Sequence, residues 1–99
     1  MAKIVYSRNA STNIERLFRF LAAKNPDAAQ RAVRTIRDKI NFLARHPRLG
    51  RIDHEQPDER ELLIAFGDSG YVARYRLDVK TVVILAIRHA REAGYTIEK

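Results

Sequence analysis

The stretch Arg60-Glu61-Leu62-Leu63-Ile64-Ala65-Phe66-Gly67-Asp68-Ser69-Gly70-Tyr71-Val72-Ala73-Arg74-Tyr75-Arg76-Leu77 decides the fold. Its hydrophobic period is two. Leu62, Ile64 and Phe66 share one face of a strand over 60–66. In the next strand, 71–77, Tyr71, Ala73 and Tyr75 share one face, and Val72, Arg74 and Arg76 share the other. Gly67-Asp68-Ser69-Gly70 between them supplies two glycines for positive φ, which predicts a hairpin. Asp78-Val79-Lys80 turns the chain again. Val82–Arg88 is the most apolar strand and takes a central place.

Upstream, residues 47–59 show no period and predict a long loop with an acidic cluster, Asp53, Glu55, Asp58 and Glu59. Before it, Ala29, Ala32, Val33, Ile36, Ile40 and Leu43 recur at helical spacing, so a helix is predicted over 26–45. Asn25 caps it, Pro26 suits its first position, Asp27 complements its dipole, and Pro47 stops it. Ala10, Ile14, Leu17, Phe18 and Leu21 mark an earlier helix over 10–23, whose other face carries Glu15, Arg16, Arg19 and Lys24. Residues 2–7 read as a first strand. The order is β-α-α-β-β-β. It predicts one α+β domain over 1–99, a small mainly antiparallel sheet with an N-terminal helical hairpin packed on one face.

The chain has 99 residues, no cysteine and a net charge of +7. The charge is uneven. Residues 1–50 hold 11 Lys/Arg against 3 Asp/Glu, and residues 51–99 hold 8 against 9. A basic half suits nucleic acid or an acidic protein segment, and a merely solubilising surface is the third reading. No apolar run reaches about 18 residues, so no membrane span is expected. The first residues lack the apolar core of a signal peptide, and a cytoplasmic location is expected.

Arg88-His89-Ala90-Arg91-Glu92, with Tyr95 beyond, delivers charged groups to the rim of the predicted sheet. A metal-free nuclease needs a base, an acid and a cation for the phosphorane, and His89 with Arg91 and Glu92 or Tyr95 could supply them. A solvated strand end with a frayed tail is the simpler alternative, and residue types alone leave both open. His46, His54 and His89 do not fall at zinc-ligand spacing, so no metal is expected. Gly67–Gly70 lies between strands rather than before a helix, so no phosphate loop and no cofactor are expected. The arginines at 31, 34, 37 and 45 read as a solvated helical face.

Three segments together resemble the RelE/ParE superfamily of bacterial toxins, closer to its ParE-like branch: Arg60–Ile64, Gly70–Tyr75, and Val83–Tyr95 with its Arg-His-Ala-Arg-Glu core. Asn25-Pro26-Asp27 between two helices, and His46-Pro47-Arg48-Leu49-Gly50-Arg51, extend the likeness over nearly the whole chain. The resemblance implies the toxin of a type II toxin–antitoxin pair, silenced by a small antitoxin. ParE-like members bind DNA gyrase, and RelE-like members cut mRNA on the ribosome. After Ser-Gly-Tyr, nuclease-type members can carry a catalytic arginine; here that place is Val72. A second falls at His89, while Arg91 and Tyr95 match. The resemblance therefore implies a gyrase-directed toxin that acts by binding, with target contacts at Arg88, His89, Arg91, Glu92 and Tyr95. A ribosome-dependent nuclease using His89, Arg91 and Tyr95 is the alternative. An acidic antitoxin that folds on binding suits the basic half, with contacts expected at Phe20, Arg74 and Arg76.

Overall fold

The computed structural model describes residues 1–97. Strand β1 (Lys3–Tyr6) leads into helices α1 (Arg8–Ala22) and α2 (Pro26–Asn41), and α2 ends in a 3-10 turn over Phe42–Ala44. Strands β2 (Arg51–Ile52), β3 (Glu59–Phe66), β4 (Ser69–Asp78) and β5 (Thr81–His89) follow. The sheet order is β1-β5-β4-β3-β2, with β1 parallel to β5 and every other pair antiparallel. The fold is the expected α+β arrangement, helices on one face of a mainly antiparallel sheet.

The long strands differ from the sequence reading by one or two residues at their ends, and three further differences have a local reason. α1 begins at Arg8, because the Ser7 hydroxyl accepts the Ala10 N–H at 3.0 Å and caps the helix two residues early. α2 tightens into 3-10 geometry at Phe42 instead of running to 45. The loop over 47–59 contains β2, so the sheet has five strands. Arg51 pairs with Glu61 and Ile52 with Arg60, and two residues are too few to show a period.

The core lies between the helices and one face of the sheet. Ile14, Leu17, Ile36, Ile40 and Leu43 pack on Leu62, Ile64, Tyr71, Tyr75 and Ile87. Tyr75 is fully buried, and its hydroxyl donates to the Pro47 carbonyl and accepts from the Gly50 N–H, both at 2.8 Å. That pins the loop before β2. A Cβ on Gly50 would lie 2.6 Å from the Tyr75 ring, so only glycine fits.

β1 covers β5 only along residues 81–84. At the next step the register slips: Tyr75 faces Ile84 but Arg74 faces Ala86, which leaves Leu85 as a bulge. Its carbonyl accepts from the Ser7 hydroxyl and the Asn9 amide, both at 3.1 Å. Beyond it the fully buried Asn13 of α1 takes the Ile87 N–H at 3.0 Å and donates to the Thr96 carbonyl at 3.1 Å. A side-chain amide thus stands where a neighbouring strand would be, and ties the C-terminal tail to the sheet edge.

Candidate functional site

A cleft of about 650 Å³ opens between the second half of α1, the Gly67-Asp68 turn and the end of β5. Leu17 and Phe20 wall it on the helix side, with Phe66, Tyr71 and His89 opposite and Arg16, Lys24 and Arg91 at the rim. Phe20 is 55% exposed, with the Lys24 ammonium 4.6 Å above its ring. An apolar trough with a cationic rim suits an amphipathic acidic segment.

Adjacent residues of β5 point to opposite faces. His89 pairs with Tyr71 and Arg88 with Val72, so His89 faces the helices and Arg88 faces away. The His89 ring meets Tyr71 edge-on at 5.5 Å, and its Nδ1 accepts the Arg91 N–H at 3.1 Å. The Glu92 carboxylate accepts the His89 N–H at 2.8 Å and pairs with Arg16 at 3.3 Å, anchoring the turn after β5 to α1. Arg91 is exposed and reaches Asp68 at 3.8 Å. Arg88 donates to the carbonyls of His89, Ala90 and Glu92 at 3.0–3.2 Å, which holds the same turn from behind.

The tail carries Tyr95 to the far face. Its ring centroid lies 5.3 Å from the Arg74 guanidinium carbon and 5.2 Å from that of Arg88. Its hydroxyl donates to Glu61 at 2.6 Å. Burial first, and then the Glu61 carboxylate, push the Tyr95 phenol well above its usual range. Arg74 also pairs with Glu59 at 2.8 Å, Asp53 at 2.9 Å and Glu61 at 3.2 Å. Burial works against its charge, but Glu59 and Asp53 outweigh it and hold the guanidinium protonated.

His89, Arg91 and Glu92 therefore meet at the cleft, whereas Arg88 and Tyr95 meet behind the sheet. Of the expected antitoxin contacts, Phe20 lies in the cleft, Arg74 lies on the far face, and Arg76 pairs with Asp78 at 3.4 Å. Val72 is buried. Asn13 and Glu61 escaped the sequence reading. Asn13 left one signal, a polar residue on the apolar stripe of Ala10, Ile14 and Leu17; Glu61 left none. Among the described residues, no group of three His, Cys, Asp or Glu is arranged to hold a metal ion, and no helix is long and apolar enough to cross a membrane.

The chain matches the family described as "ParE toxin of type II toxin-antitoxin system, parDE" over residues 4–94. It belongs to the ParE toxin family. Two curated relatives from Caulobacter vibrioides are similar. "Toxin RelE3" is 37% identical, covering 93% of this chain and 98% of its own. "Toxin RelE1" is 34% identical, covering 90% and 94%. A chain of the "Chromosomal ParDE TA system from P. aeruginosa" superposes with a TM-score of 0.77 over 92% of this chain and 98% of that one, and at 21% identity it shows the shared fold. The ParE family protein described here is thus the toxin of a type II toxin–antitoxin system, and the family implies a cognate antitoxin as partner.

Proposed function

We propose that this ParE family toxin acts by binding DNA gyrase rather than by cutting RNA, and that an acidic antitoxin segment silences it from the α1 cleft. One observation carries the first part. The supposed acid–base pair, His89 and Tyr95, is split between opposite faces of the sheet. A base and an acid that serve one phosphodiester must reach it together. Tyr95 is committed to Glu61, and buried Val72 offers no cation for a phosphorane. His89, Arg91 and Glu92 then form the contact edge, and Arg88 and Tyr95 shape it by holding the tail. For the antitoxin, Phe20 and Lys24 are the best-placed contacts, because Arg74 already has three carboxylates of its own.

The test is a supercoiling assay with purified toxin. Loss of supercoiling or trapped cleavage complexes is expected, with about tenfold less potency in Arg91→Glu, the size of a lost charged contact. Normal gyrase activity at large toxin excess would sink the reading. A ribosome-dependent endonuclease is favoured by a different observation: the half-buried His89 imidazole lines the cleft together with Glu92, Arg16 and Arg91, which leaves a base, an acid and cations on one face. Codon-linked mRNA cuts in a translation extract, lost in His89→Ala, would establish it instead.

A further inference from the structure

A second surface, made of residues that do not line the cleft, lies where α2 runs into its 3-10 turn. Phe42 and His46 stack there with ring centroids 4.6 Å apart and planes at 25°. The stack is at the surface: Phe42 is 50% exposed and His46 is exposed as well. Neither ring belongs to the hydrophobic core. The Lys39 ammonium lies 6.0 Å over the Phe42 ring.

Arg45 and Pro47, the chain neighbours of His46, line a cavity of about 550 Å³ together with Met1, Arg48, Val79 and Lys80; its wall holds no carboxylate, and the two rings themselves lie outside it. Among the described residues, none of Lys39, Arg45, Arg48 and Lys80 is in an ion pair. Residues 28–52 hold seven Lys/Arg against a single acid, Asp38. Within that stretch, residues 39–48 hold Lys39, Arg45 and Arg48 and no acid, so the end of α2 and the turn after it are locally basic.

We infer that the Phe42–His46 stack with Lys39, Arg45, Arg48 and Lys80 is a binding surface for single-stranded nucleic acid. A cationic trough tracks the phosphates, and an exposed aromatic stack accepts an unpaired base. Cations alone would serve an acidic peptide equally well. The stack is what favours nucleic acid: two exposed, near-parallel rings offer a flat face to a base, whereas Phe20 stands in an apolar trough that takes the apolar side chains of an amphipathic peptide. The surface is independent of the toxin's target, because a single strand of either RNA or DNA satisfies the same chemistry.

Fluorescence anisotropy tests this with the full-length toxin and labelled RNA and DNA single strands of about 12 nucleotides, a span of the usual site size. Micromolar binding at about 50 mM salt is expected, falling steeply by about 200 mM. Phe42→Ala and His46→Ala should each weaken binding about five- to a hundredfold with the salt slope unchanged. Arg45→Gln with Arg48→Gln should lower the slope by about one to two. Phe42→Leu, which keeps apolar bulk without the ring, should lose affinity like the alanine variant while melting like the parent. The RNA and DNA arms distinguish the source of the strand. Absence of binding by either strand overturns the inference. So does a glutamate oligomer that binds as tightly as both strands while Phe42→Ala affects none of them.

Discussion

Val79 and Gly67 occupy the same place in two hairpins. Phe66 pairs with Ser69 and Asp78 with Thr81, so each loop has two residues and each begins at positive φ, 61° at Gly67 and 50° at Val79. Glycine adopts that conformation freely, whereas a β-branched residue is strained there. Val79→Gly should therefore stabilise the toxin by about 1 kcal/mol, read as a higher urea midpoint; no change would mean that the strain is relieved elsewhere. Asn13 has the opposite standing. Asn13→Ala leaves the Ile87 N–H buried without its acceptor, and a loss of about 2 kcal/mol is expected with faster exchange of that amide. Asp53 sets a pH dependence. The Glu55 N–H first, and then Arg74, hold its carboxyl below the usual range. A depressed carboxyl contributes stability above its ordinary pKa of about 4, which is lost as pH falls through its own lower value. The stability gap between parent and Asp53→Asn should be constant near neutrality and close below about pH 4. A gap that persists in acid would argue against the ion pair.

At the scale of elements, the three long strands and both helices were legible because each repeats its own period over several turns or pairs. The caps were half legible. Asn25-Pro26-Asp27 announced α2, while Ser7 was hidden inside an apparent strand end. β2 was not legible, since two residues owe their extended form to pairing with Arg60 and Glu61. The split of the candidate site was partly legible, because neighbours on a strand must face opposite ways and Arg88 and His89 are neighbours. The path of the tail was not. No period marks residues 90–97, and it is contact with Arg74, Arg88 and Glu61 that keeps Tyr95 on the far face. Tyr95→Ala should raise hydrogen exchange across residues 92–97 and cost about 2 kcal/mol, as for a half-buried aromatic ring. Unchanged exchange would mean that Asn13 and Arg88 suffice to hold the tail.

At the scale of the whole molecule, the charge is divided between ends and faces. The far face of the sheet neutralises itself, Arg74 among Asp53, Glu59 and Glu61, so the net +7 is carried chiefly by the helices and the turn after α2. Association with an acidic antitoxin should then be electrostatically steered. Its on-rate, by stopped flow, should fall about tenfold or more between low and high salt, while Arg74→Gln changes it little. An on-rate indifferent to salt would remove charge as the guide. The sequence by itself determined the order of elements, the hairpins, the amphipathic helices and the basic first half, because these follow from periods, caps and composition within short windows. Only the tertiary structure decided which functional side chains meet. It put His89 beside α1, Tyr95 behind the sheet and a free aromatic stack at the end of α2, because contacts between residues far apart in the chain depend on how strands and helices pack rather than on any local pattern.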